Sequence, residues 1–171
     1  NIGMQSGGWT VSWQGEMGNK TKGTSVLEAI KSTVDPSTSV QFTVDGKNAK
    51  GDVAVVVIGE EPYAEMEGDR IDLSLNEKDL AVIDRIKAQN IPVVVLLFSG
   101  RPMIITEHLN QWDALVAAWL PGTEGHGISD VLFGDYNPTG KLSFSWPRSM
   151  NQLPISKSDD HLFDFGYGLS Y

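Results

Sequence analysis

No cysteine occurs in the 171 residues, which excludes a disulfide framework and a thiolate metal site. Histidine is scarce, and His108, His126 and His161 stand apart, without metal-ligand or triad spacing. Cations are the minority, with 13 Lys plus Arg against 22 Asp plus Glu. The formal charge of −9 works against a nucleic-acid partner, whose phosphates need clustered positive charge. No apolar run is long enough to span a bilayer, so membrane insertion is not expected. There is no G-x-S-x-G nucleophile elbow. The glycine-rich "GTEGHG" (Gly122 to Gly127) lacks the P-loop lysine and the dinucleotide spacing, and Glu124 would repel phosphate. It is expected to be a tight turn from a strand into a helix. None of these absences opposes a neutral ligand such as a sugar.

What is present suits one α/β domain with a real core: 40% hydrophobic residues, 18 Gly and 8 Pro. The chain opens on "NIGMQSGGWT", with neither a basic n-region nor an apolar h-region, an opening expected of a segment of a longer protein. Residues 1–23 form a glycine- and tryptophan-rich loop region. In "TSVLEAIKSTV", Val26, Leu27, Ile30 and Val34 recur at helical spacing, and Ser25 with Glu28 forms a capping box. "SVQFTV" alternates like a strand with one wet face. "VAVVVI" (Val53 to Ile58) and "PVVVLLF" (Val93 to Phe98) are continuously apolar, as in parallel strands covered on both faces.

Ser74 with Glu77 is a second capping box, opening a helix through Leu80, Ile83 and Ile86 to about Gln89. A short helix is expected over Thr106 to Gln111, a third strand over Ala114 to Trp119, and a helix in "HGISDVLFG" stopped by Gly134. "KLSFSW" alternates and ends at Pro147, which suits an antiparallel edge strand. Residues 147–171 are expected to be irregular. The alternation of strand and helix predicts a three-layer α/β sandwich with a mostly parallel sheet and that antiparallel edge. Ligands of such sheets bind beyond the carboxyl ends of the strands. There lie the acidic loop after Ile58, then "SGRP" and "LPGTEG", and all three are expected to line one crevice.

The acidic loop, in "VVVIGEEPYAEMEGDR", carries Glu60, Glu61, Glu65, Glu67 and Asp69. A carboxyl made into a proton donor needs its pKa raised by burial or a neighbouring negative charge, which an exposed loop lacks until something covers it. Spacing alone does not choose among Glu60, Glu61, Glu65 and Glu67, and a solvated loop is the plain alternative. "SGGWTVSWQG" sets Trp9 and Trp13 among glycines. Such rings stack on sugars or cap a core, and exposure beside the acidic loop would decide for the sugar.

The ordered set "GGWTVSWQG", "GEEPYAEMEGD", "SGRP", "AWLPGTEG", "FGDYNPTGKLSFSWPRS" and "FGYGLSY" resembles the second domain of glycoside hydrolase family 3, in its β-glucan exohydrolase/β-glucosidase branch. The resemblance covers nearly the whole chain. It implies an α/β sandwich that follows a (β/α)8 barrel, with the barrel's Asp as nucleophile and no cofactor or metal. It further implies that Glu65, in "PYAEMEGD", is the general acid/base and that Trp13 is one wall of an aromatic clamp supported by Trp9. By the same likeness, Asp69 and Arg70 order the loop with a possible ion pair, Arg101 orients it, and Glu124 is a rim candidate. The substrate implied is a β-glucan or β-gluco-oligosaccharide, and the location periplasmic or secreted. The barrel and its nucleophile are not in this sequence, so the segment alone is expected to be inactive. A non-catalytic carbohydrate- or nucleotide-binding module of flavodoxin-like architecture is the competing expectation.

Overall fold

The computed structural model describes residues 1–156 and 160–171; positions 157–159 of the expected tail lie outside the described residues. Three parallel strands form the centre: β1 (Ala54–Gly59), β2 (Val93–Phe98) and β3 (Ala114–Ala117), in the spatial order β1-β2-β3. The register runs from Ala54 opposite Val93 to Gly59 opposite Phe98, and from Val94 opposite Ala114 to Leu97 opposite Ala117. Period-two alternation divides the central strand between two cores. Val93, Val95 and Leu97 join Val56, Ile58, Ile83 and Ile86 on the face covered by helix α3 (Glu77–Lys87). Leu96 and Phe98 face the other way, against Val26 and Ile30 of α2 (Val26–Thr33) and Ile128 and Leu132 of α5 (Gly125–Phe133). The result is a three-layer α/β sandwich. Each fully buried aliphatic side chain of β2 contributes about 1.5–3 kcal/mol relative to exposure. Two short helices complete the set, α1 (Ile2–Ser6) and α4 (Thr106–Leu109). Among the described residues no helix is long and apolar enough to cross a membrane.

Local signals account for the helix ends. Ser25 and Glu28 make the reciprocal capping box at α2, and Gly134 ends α5 in the left-handed conformation at φ 84°. At α3 the expectation fails by two residues. Asn76 is the cap, its side chain accepting the Lys78 amide at 2.8 Å, while Ser74 is extended and bridges to Ile104. The Ser74 amide instead donates to Asp72.

Two expected strands are absent among the described residues. In "SVQFTV" the Gln41 side chain bonds the Asn48 carbonyl and the Lys50 amide, so the segment satisfies itself locally rather than in a ladder. Phe42 and Val44 are exposed, and β1 is left as an edge strand with Val57 partly uncovered. "KLSFSW" bends at Ser143 and Phe144 and joins no sheet. Its partner is the C-terminal segment, through Trp146 amide to Phe163 carbonyl, Leu162 amide to Trp146 carbonyl and the Trp146–Phe163 antiparallel bridge. The Ser145 hydroxyl interrupts that pairing by accepting the Phe165 amide. The antiparallel edge of the sheet is therefore replaced by a separate bridged pair. β3 stops at Ala117, short of Trp119, whose φ of 52° turns the chain into an aromatic cluster with Phe144 and Trp146.

Candidate active site

An open cleft of about 920 Å3 lies beyond the carboxyl ends of β1 and β2. The acidic loop supplies one side, Arg101 of "SGRP" reaches in from β2, and Trp13 with Gln14 lines the side nearest the amino terminus. The third expected loop is elsewhere. Gln5, 1% exposed, donates to the carbonyls of Thr24 and Gly122 and accepts the Val26 amide, which ties "LPGTEG" to α1. Glu124 is exposed at the start of α5, accepts the Thr123 hydroxyl, and lies outside the cleft. "GTEGHG" is the strand-to-helix turn expected of it.

The tryptophan loop is closed by the Trp9 amide donating to the Trp13 carbonyl at 2.9 Å. The two rings are tilted, with centroids 6.3 Å apart. Both are exposed, Trp9 at 70% and Trp13 at 46%. That exposure argues against a core-capping role for either ring. Trp9, expected as a support for Trp13, stands in the open beside it. Trp9 and the β-branched Val11 hold φ angles of 61° and 69°, a conformation costly for L residues.

This loop is fastened to the acidic loop. The Ala64 amide donates to the Gln14 side-chain oxygen at 2.7 Å. A Cβ on Gly8 would fall 2.0 Å from the Tyr63 carbonyl oxygen, so only glycine permits the approach.

Within the acidic loop the carboxylates take different roles. Glu60, directly after β1, is 8% exposed. Its Oε1 accepts Arg101 Nε at 3.0 Å and Nη2 at 2.8 Å, with Arg70 Nη1 at 3.4 Å. Its Oε2 accepts the Tyr63 hydroxyl at 3.0 Å. The Arg101 guanidinium also lies over the Tyr63 ring, 4.7 Å from its centroid. Burial, reinforced by the Glu60 charge, pushes the Tyr63 phenol above its ordinary range, so it remains the O–H donor. Arg101 and Arg70 both donate to the Glu60 carboxylate at the start of the loop. The partner of Arg70 is Glu60, whereas the exposed Asp69 enters no ion pair among the described residues. Behind Gly59, Asp79 of α3 accepts that residue's amide at 3.3 Å, and burial raises its carboxyl pKa.

Glu65 opens the 3-10 turn Glu65–Gly68 at a φ of 51°, and its side chain is exposed. Its carboxylate makes no hydrogen bond or ion pair among the described residues. It is not among the residues that line the cleft, but it directly follows Ala64, the residue bonded to Gln14. The turn therefore presents Glu65 outward, one residue beyond the bond that fastens this loop to the tryptophan loop.

Tyr63 and Gln14 were not singled out from sequence. Tyr63 is the lone aromatic of the acidic loop and Gln14 directly follows Trp13, which are the only sequence signals either offered.

Residues 1–171 match the family described as Glycosyl hydrolase family 3 C-terminal domain. The chain is 34% identical over 172 residues to a periplasmic beta-glucosidase of Salmonella typhimurium, covering 84% of this chain and 22% of that protein. It is 31% identical to a lysosomal beta glucosidase of Dictyostelium discoideum, covering 97% and 24% respectively. Among solved structures, an exo-1,3/1,4-beta-glucanase from a Pseudoalteromonas species is 44% identical with a TM-score of 0.91, covering 99% of this chain and 23% of that one. The chain thus spans about a quarter of the length of these proteins.

Proposed function

Because the chain belongs to glycoside hydrolase family 3, as its C-terminal domain, we propose that it supplies the general acid/base of a retaining, exo-acting β-glucosidase or β-glucan exohydrolase. The observation that carries this is the division of labour in the acidic loop. Glu60 is committed to two arginines and a tyrosine, while Glu65 is exposed, without a partner among the described residues, on a turn next to Ala64, whose amide is tied to Gln14 beside Trp13.

The remainder of the enzyme is a (β/α)8 barrel carrying an Asp nucleophile, docked so that its pocket closes over Glu65 and Trp13. Desolvation by barrel and sugar raises the Glu65 pKa and keeps its proton available near neutrality. As the Asp attacks the anomeric carbon, Glu65 gives its proton to the departing glycosidic oxygen. It then takes a proton from water as that water displaces the Asp and releases glucose. Retention requires the two carboxyls about 5–5.5 Å apart across the scissile bond. Trp13 stacks on the leaving sugar, which tolerates several linkages because a stacked ring reads no hydroxyl pattern. The enzyme works in the periplasm or outside the cell, in keeping with the name of its Salmonella relative.

The acid/base role is tested by Glu65→Ala in the full-length enzyme, supplied with an activated aryl β-glucoside and azide. Azide should replace water at the second step and yield β-glucosyl azide with faster turnover. Free glucose alone, unaccelerated, would exclude Glu65 and favour the non-catalytic module. The clamp has its own expected result. Loss of one stacked ring, about 1 kcal/mol, should raise KM for oligosaccharides about fivefold in Trp13→Ala. KM for a simple aryl glucoside should change less, and steady-state kinetics on both substrates checks it.

A further inference from the structure

The segment from Glu60 to Arg70 is a loop tied at its own two ends. Arg70 returns to the Glu60 carboxylate at 3.4 Å and, through Nη2, to the Ser74 carbonyl at 3.1 Å. Arg101 closes the same carboxylate from β2 with two bonds to one oxygen. The loop interior is filled by Tyr63, whose hydroxyl ends on the remaining Glu60 oxygen. The fit is tight: a Cβ on Gly68 would lie 2.2 Å from the Tyr63 ring, and one on Gly100 3.0 Å from its hydroxyl. Glu65 sits midway along this loop in a strained backbone conformation, which persists only where its surroundings over-determine it. Glu60 lines the cleft but its side chain is only 5% exposed, and both carboxylate oxygens are already taken by Arg101, Arg70 and Tyr63.

We infer that Glu60 is a positioning residue for the Glu65 carboxyl, acting through Tyr63, Arg70 and Arg101 to hold the turn at the height and angle proton transfer needs. The inference rests on the acid/base role proposed for Glu65. Misplacement of a reacting group by about 1 Å costs on the order of a hundredfold in rate. Deleting the charge of Glu60 weakens four directed bonds at once, two to Arg101 and one each to Arg70 and Tyr63, and so releases the turn at both ends.

The test uses the full-length enzyme with Glu60→Gln, Tyr63→Phe, Glu65→Gln and the Glu60→Gln/Glu65→Gln double variant. Each is assayed on a β-gluco-oligosaccharide and on an aryl glucoside with a good leaving group. For Glu60→Gln, kcat/KM on the oligosaccharide should fall about a hundredfold, with a much smaller loss of kcat/KM on the aryl glucoside, whose first step needs little acid. Tyr63→Phe keeps the ring packing and should show the same leaving-group pattern with a smaller loss. It carries the test by the same criterion if Glu60→Gln does not fold. The double variant should be no slower than Glu65→Gln alone.

Equal losses on both substrates, or a double variant slower than Glu65→Gln by the full Glu60→Gln factor, would overturn the inference and leave Glu60 a fold-supporting residue. Glu65→Gln crippled only on the oligosaccharide, with Glu60→Gln silent, would overturn this inference and leave the acid/base role standing. A Glu65→Gln enzyme without leaving-group dependence would overturn both.

Discussion

Full-length enzyme carrying Glu65→Gln should hydrolyse β-gluco-oligosaccharides about 10²–10⁴-fold more slowly than the wild type, the range a positioned general acid supplies. The substitution removes the dissociable proton and little else. Its side chain is exposed and makes no hydrogen bond or ion pair among the described residues, so little of the packing or bonding of the fold is lost. The loss should shrink sharply for an aryl glucoside whose phenolate leaves without protonation, because the acid is then needed little in the first step. The wild-type pH profile should lose its high-pH limb in the variant, since that limb reports deprotonation of the acid. Measuring kcat/KM across a series of leaving groups checks this. A loss independent of leaving-group pKa would assign Glu65 a binding or structural part instead.

Gly59→Ala should be the most damaging change to stability. Gly59 ends β1 at a φ of 146°, and a Cβ there would stand 1.8 Å from the Phe98 carbonyl oxygen. That same oxygen accepts the Glu60 amide at 2.9 Å, the bond that carries the β1–β2 pairing into the acidic loop. A methyl group cannot share the space, so β1 must part from β2 at the end where Glu60, Arg101 and Tyr63 converge. Neighbouring Asp79 would lose the geometry of its bond to the Gly59 amide as well. A steric conflict with central backbone belongs to the rare class that costs about 4 kcal/mol or more. For a domain of this size that corresponds to a fall in Tm of about 10 °C, or failure to accumulate as soluble protein. Thermal unfolding followed by circular dichroism decides it, and an unchanged midpoint would mean the sheet end is far more pliant than its packing implies.

Much of the sandwich was legible in the sequence because burial on both faces leaves a plain trace. "PVVVLLF" has one interpretation, and β2 begins at Val93 and ends at Phe98 as expected. Ser25 with Glu28, and Gly134, act within a single turn, so local chemistry suffices to place them. The failures occur where the outcome depends on a distant partner or on competing local bonds. Ser74 lost the cap to Asn76, two residues nearer the helix, because the Ser74 amide found Asp72 and its backbone found Ile104. Alternation in "KLSFSW" suggests a strand, but the segment bends at Ser143 and Phe144 and pairs only through Trp146 with Phe163, a partner no local pattern reveals.

The candidate site divides in the same way. The crevice beyond β1 and β2 follows from topology, whereas the exposure of the tryptophans beside the acidic loop, left open by the sequence between sugar stacking and core capping, does not. Which glutamate is buried does not follow from spacing. Glu60 and Glu61 are adjacent in sequence, yet only Glu60 meets Arg70 from ten positions later and Arg101 from forty-one. The Gln14–Ala64 bond likewise joins residues fifty positions apart and leaves no local trace.

That bond has a mechanical corollary. On the roles proposed above, Trp13 and Glu65 lie on two loops of this one domain joined by that bond, so their separation is set within the domain and not across the seam to a barrel. Tilting this body against a barrel would alter the line along which a nucleophile approaches, yet leave the grip on the departing sugar unchanged. Mutations at the seam between the two bodies should then slow formation of the glycosyl–enzyme bond more than they disturb recognition of the group being expelled.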